Sequence, residues 1–356
     1  MKKRYLRASQ LLVGLFLGAG AWTVAQDDQG PIRVTVNLVQ LNVAVTDHKG
    51  NYVTGLRPED FTITEDRIPE KIATFESGSE PTRIVTDSTT GDKPEGGQTA
   101  AQDAAQSSDV SPVLTPTHLT DANVFILFDT SNYMYRTFAF AQDAIAGFVR
   151  SLQPSNKLAF YSYSRDLSRA APLTANRDEV MRAVRATVAG DRAALYNCLL
   201  LTVKDAARIT GRKVIVVFSN GPDDSSLVPP EDVAELAQST GTIIYMVSTV
   251  QAELEPISVT VFERMSKATG GKAYFAKNWK DEKEAFDSIR DDLAHLYALS
   301  YYPQPNPNHG WRTITVKLVS KDMQKYHLRT RDGYRLQQTK AYETTSASVG
   351  SVTAAH

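Results

Sequence analysis

The residues best suited to chemistry are Asp129, Thr130 and Ser131, a carboxylate followed by two hydroxyls. A second polar stretch runs Asn220-Gly221-Pro222-Asp223-Asp224-Ser225-Ser226. Most catalytic uses of such groups need partners that are missing. An aspartate-based phosphatase would carry a second acidic residue two positions after the first, where Ser131 stands. No Gly-x-Ser-x-Gly elbow occurs with a plausible histidine, and the six histidines have no metal-ligand spacing. Thr269-Gly270-Gly271-Lys272 closes a helix instead of opening one, so it is a helix stop and not a phosphate-binding loop. The single cysteine, Cys198, lies in an apolar helical stretch and reads as an inert core thiol. What remains is an acid and hydroxyls available for binding.

These groups need elements to hold them. Val124 to Phe128 are five consecutive apolar residues that run into Asp129. Such a run fits a strand covered on both faces, as in a parallel sheet between helices. An amphipathic helix follows, with Phe138, Ala141, Ile145, Phe148, Val149 and Leu152 on one face. Asp129 therefore falls where a central strand ends, the edge at which open α/β sheets bind ligands. Further strands are predicted at 157–163, 167–173 (an edge), 213–219, 242–247 and 273–275. Helices alternate with them. Asn176 caps one that carries Val180, Val184 and Val188 on a face; others span 195–209, 230–236, 261–268 and 281–296. Repeated βα units imply a doubly wound, mostly parallel sheet.

The flanks differ. Residues 32–46 alternate apolar and polar with a phase slip near Val39-Gln40, and 52–54, 61–65 and 72–75 continue the β pattern. Residues 297–302, 311–319 and 326–330 are strand-like again, with no helices of their own to cover them. The economical arrangement is one small β-sandwich built from N- and C-terminal segments, with the α/β unit inserted. The expected domains are 32–76 for the first part of the sandwich, 77–118 for a flexible polar linker, 119–296 for the α/β unit, 297–336 for the closing strands and 337–356 for a disordered tail.

A formal net charge of -1 argues against a nucleic-acid binder or a polybasic membrane anchor. Residues 1–25 have a basic start, a short apolar run and small residues near Ala25. That pattern predicts a secretory signal cleaved after Ala25, with an uncleaved anchor as the rival reading. No second apolar run of spanning length follows, so the mature chain is expected in the periplasm or outside the cell, without an integral membrane span.

Four stretches together resemble the von Willebrand factor A-like domain, in its bacterial exported branch: Val124 to Ser131, Ala193-Ala194-Leu195-Tyr196-Asn197, Val214 to Gly221, and Ala268 to Phe275. The flanks resemble that branch too, in Val45 to Gly50 with Leu56 to Phe61, and Tyr301-Tyr302-Pro303 with Arg331 to Tyr334. The resemblance implies a metal-ion-dependent adhesion site in which Asp, two Ser, Thr and a second Asp hold Mg²⁺. Mg²⁺ needs octahedral oxygen ligands with carboxylate charge among them. Asp129 and Ser131 keep their positions. Tyr133 stands at the second serine, Ala193 at the threonine and Asn220 at the second aspartate. The implied metal residues are thus Asp129, Ser131 and Asn220 in an eroded site, although Asp223 or Asp224 could swing in.

The leading expectation is an exported, non-enzymatic binding or adhesion module with weak or no metal dependence. Its contact loops would carry Asn132, Tyr133, Tyr135, Ala193, Asp223 and Asp224, facing a protein or cell-envelope ligand. The alternatives are a structural subunit of an envelope assembly that uses the sandwich edges and, last, a hydrolytic enzyme.

Overall fold

A computed structural model describes residues 38–78, 83–85, 122–248 and 256–336. The expected signal, the tail and most of the expected linker lie outside these residues. So does the first part of the 32–46 β segment.

Five strands open the description: β1 (Val39–Thr46), β2 (Phe61–Glu65), β3 (Ile68–Glu70), β4 (Ile72–Ser77) and β5 (Arg83–Ile84). Two of these correct the expected boundaries. Ser77 belongs to β4 and not to a linker, and Arg83–Ile84 pairs with β4 as a short edge strand. The α/β unit follows in the order β6 (Ala122–Asp129), α1 (Phe138–Ser151), β7 (Lys157–Tyr163), β8 (Leu167–Thr174), α2 (Arg177–Ala186) and α3 (Leu195–Ala207). It continues with β9 (Arg212–Phe218), α4 (Pro230–Thr240), β10 (Thr242–Ser248), α5 (Pro256–Thr269), β11 (Ala273–Phe275) and α6 (Trp279–His295). The chain then returns to β12 (Tyr297–Tyr301), β13 (Trp311–Leu318), β14 (His327–Arg329) and β15 (Gly333–Arg335).

The α/β unit is a six-stranded sheet in the order β11-β10-β9-β6-β7-β8. All neighbours are parallel except the edge strand β8, which runs antiparallel to β7. Alternation along β6 splits the core. Val124, Ile126 and Phe128 face α1, α2 and α6, while Phe125 and Leu127 face α3, α4 and α5. That two-sided burial is why the run is apolar without interruption. Strand order reverses between β6 and β9, so the crevice of a doubly wound sheet opens at their carboxyl ends.

The N- and C-terminal segments form the expected sandwich. One sheet runs β14-β1-β12-β4-β5 and the other β15-β13-β2-β3. Between them lie Leu41, Val43, Phe61, Ile63, Phe75, Tyr297, Leu299, Tyr301 and Ile314. β12 sits between β1 and β4, antiparallel to both. The opposite face of β1 meets the α/β unit, where Ala44 joins the core containing Leu293 and Leu296. Among the described residues no helix is long and apolar enough to cross a membrane.

One helical position departs from expectation. Val188 does not join Val180 and Val184, because α2 stops at Ala186 and Thr187 turns extended. Val188 is 77% exposed on the loop beyond.

Candidate functional site

Asp129 ends β6 beside the strand-order reversal and is fully buried. Its Oδ1 accepts the Ser131 amide at 2.8 Å and its Oδ2 accepts the Ser219 hydroxyl at 2.7 Å. Tyr163, paired with Asp129 across β6 and β7, donates its phenol to Ser219 Oγ at 3.1 Å. A buried chain Tyr163–Ser219–Asp129 thus joins the ends of three strands. Burial raises the pKa of Asp129 above the usual carboxylate value, while the hydrogen bonds from Ser131 and Ser219 hold it down. Burial, and then the Asp129 charge, push the Tyr163 phenol well above its usual value.

The neighbouring loops bind one another. Thr130 is buried and donates its hydroxyl to the Tyr163 carbonyl at 2.8 Å. The Gly190 amide donates to the Thr130 carbonyl, and the Asn132 amide to the Asp191 carbonyl, both at 2.6 Å. Asn220 is buried, and its Nδ2 donates to the Tyr133 carbonyl at 2.8 Å. Ala193 is buried too: its amide donates to Asp224 Oδ1 at 3.1 Å, and its carbonyl accepts the Asp224 and Ser225 amides. Asp224 is partly desolvated, but Ser225, the Ala193 amide and Arg192 hold its pKa below the usual range.

Asp223 acts on a helix from a distance. Ala194 occupies the N-cap position of α3 and has no side-chain acceptor. Asp223 Oδ2 instead accepts the Tyr196 amide at 2.8 Å, and Oδ1 accepts the Ser226 amide at 2.8 Å. Ser226 Oγ accepts the Asn197 amide, while Asn197 Oδ1 accepts the Leu227 and Val228 amides. The loop after β9 and the start of α3 therefore cap each other.

Of the residues singled out in the sequence, Asp129, Ser131, Ala193 and Asn220 are buried within this bracing, and Tyr133 is half-buried. Asn132 and Tyr135 are exposed, and Tyr135 donates its phenol to the Gly190 carbonyl. The sequence reading missed Ser219 and Tyr163 as partners of Asp129; matching strand ends were the available signal. It named Tyr135 as a contact residue and missed further exposed apolar residues on segments at the same edge. Tyr135 (56% exposed) and Phe140 follow β6, and Val188 precedes Gly190. Leu227 (94% exposed) lies in the loop after β9, and Ile257 stands in the first turn of α5 beside Ser258, which packs against Gly221.

Residues 123–288 match the family model described as the von Willebrand factor type A domain. The inserted unit is a von Willebrand factor type A domain. Several solved structures are similar to it. BatB from Bacteroides thetaiotaomicron is 14% identical, with 48% of this chain and 98% of that one covered at a TM-score of 0.41. A von Willebrand factor type A protein from Catenulispora acidiphila is 14% identical, with 62% and 67% covered at 0.42. The vWF domain of the type V pili tip protein Mfa5 from Porphyromonas gingivalis is 11% identical, with 49% and 95% covered at 0.42. No curated protein matches the chain.

A domains can hold a metal at their loop edge, and the donors present here do not fit Mg²⁺. Asp129 brings one carboxylate whose two oxygens already accept protein donors. Asn220 is neutral and turned to Tyr133, and Ala193 offers no side-chain oxygen. Asp223 and Asp224 are engaged in holding α3 and Ala193. Ser131 Oγ is buried without a hydrogen-bond partner and is the one spare donor oxygen of this set. One hydroxyl and one carboxylate charge fall short of what offsets Mg²⁺ dehydration.

Proposed function

We propose that this chain is an exported, non-enzymatic binding module whose A domain takes a protein or cell-envelope ligand at its loop edge without a metal. A domains are interaction modules, which supports the class. One observation carries the sharper reading. Asp129 is buried and its carboxylate oxygens accept protein donors, while Tyr135, Phe140, Val188, Leu227 and Ile257, on the loops and helix ends beyond the sheet's carboxyl edge, are exposed. Exposed apolar side chains with an aromatic among them, carried on the loops of one sheet edge, are what a protein interface uses. The alternative, assembly through the sandwich edges, has less support: β5 is two residues long and β3 carries Pro69, features that blunt edge pairing.

The test uses the full mature chain. Calorimetric titration of Mg²⁺ and Mn²⁺ is expected to give no heat that an Asp129→Ala variant lacks. Retention of envelope-fraction proteins on the immobilised chain is expected to survive a chelator and to fall at least about tenfold, or 1.4 kcal/mol, in Tyr135→Ser/Leu227→Ser. Metal heat that vanishes with Asp129, or binding abolished by chelation, would sink the metal-free reading.

A further inference from the structure

The sandwich and the A domain meet at a seam where β1 lies against the end of α4, β10 and the end of α5. A small cavity there is lined by Gln40 and Asn42 of β1, Gly241, Ile243, Thr269, Thr330 and Arg331. Its space for a water-sized sphere is about 10 Å³, close to the minimum for one water molecule.

Four of the lining residues each bring one buried polar atom without a hydrogen-bond partner: Gln40 Nε2, Asn42 Oδ1, Thr330 Oγ1 and Arg331 Nε. Orphaned buried groups are uncommon, because each gives up its hydration without a replacement hydrogen bond. Four on one cavity point to a missing common partner. The rest of Arg331 is engaged, with one terminal nitrogen donating to the Gln238 carbonyl of α4 and the other to the Gln40 carbonyl at 3.0 Å. Among the described residues Arg331 has no ion-pair partner, so its guanidinium depends on neutral acceptors.

We infer that this cavity is a binding site for a single structural water that joins the sandwich to the A domain. The donor–acceptor balance selects water. Gln40 Nε2 and Arg331 Nε can only donate, Asn42 Oδ1 can only accept, and the Thr330 hydroxyl can do either. A water that accepts from the first two and donates to the last two satisfies all four and uses its full valence. A halide would satisfy the donors and be repelled by Asn42 Oδ1. An apolar occupant would satisfy none.

The experiment is a high-resolution crystal structure of the full chain grown with bromide, with anomalous data. One oxygen-like peak is expected within about 2.7–3.2 Å of those four atoms, without anomalous signal. A bromide peak would overturn the water in favour of an anion site, and an empty cavity would overturn the site. In solution, the Gln40 side-chain amide protons are expected to show a cross-peak to long-lived water. A Thr330→Ile variant, whose added methyl fills the cavity, should lose that cross-peak while keeping the wild-type backbone shifts of β6. A cross-peak unchanged in Thr330→Ile would also count against the assignment.

Discussion

At Asp129 two forces oppose each other. Burial favours the neutral acid, while the Ser131 amide and the Ser219 hydroxyl favour the carboxylate, and burial wins. An unfolded aspartate titrates near pH 4. From there up to the raised value of the folded state, the folded chain holds a proton that the unfolded chain has released. Stability contributed by this group therefore falls as pH rises through that window and stays lower above it. Asp129→Asn keeps an acceptor for the Ser131 amide, turns the acceptor facing the Ser219 hydroxyl into a donor, a cost that does not vary with pH, and removes the titration. Thermal melts from about pH 4 to pH 8 should show the variant gaining on wild type as pH rises, by about 1.4 kcal/mol for each tenfold displacement of the proton equilibrium. Parallel pH profiles for the two proteins would show that Asp129 is not held this way. Cys198 follows the same logic without a function: burial, aided by nearby carboxylates, pushes its thiol up to about 12, as an inert core cysteine should be.

Among the elements, α3 depends most on tertiary help. Its N-cap residue cannot cap, and Asp223 supplies the acceptor from across the edge. Asp223→Ala is expected to cost about 1–2 kcal/mol in urea denaturation and to raise amide hydrogen exchange at Tyr196 and Ser226. Asp223→Asn should recover only part of the loss, since one oxygen remains for either the Tyr196 amide or the Ser226 amide. Contrast Asn176, which caps α2 by accepting the Asp178 and Glu179 amides. That cap is local and was legible in the sequence, as were the apolar strands and the stop at Gly270, whose φ of 84° no bulky residue adopts easily. The Asp223 cap joins residues 27 positions apart, and no periodicity announces it. The same limit hid the partners of Asp129, because strand pairing and not spacing brings Tyr163 and Ser219 to it. Val188 misled for the opposite reason: helical spacing continued after the helix had ended. β3 and β15 are three residues each and contain Pro69 and Gly333, too short and too broken to alternate.

Across the whole molecule, a buried ionic joint ties the two parts of the fold. Asp292 of α6 has no exposed surface and pairs with Arg329 of β14, accepts the Tyr52 phenol at 2.8 Å and accepts the Tyr245 phenol at 2.5 Å. Arg329 also donates to the Gly270 carbonyl at the end of α5. Removing one charge strands the other, so Arg329→Met is expected to cost about 3–5 kcal/mol in urea denaturation. Arg329→Met/Asp292→Leu should cost less than the two single losses added. Strict additivity would mean that the pair does not act as a unit. The sandwich that this joint holds has its own peculiarity: β12, between β1 and β4, comes from the far side of the A domain. On the ribosome, β1 and β4 therefore emerge facing a gap where their shared neighbour belongs. They wait with bare backbone edges until the entire A domain has been made. The A domain can fold as a contiguous stretch, whereas the sandwich must close last, by capture of the late strand. A stall or truncation before Tyr297 would release a chain with a finished A domain and two sticky half-sheets.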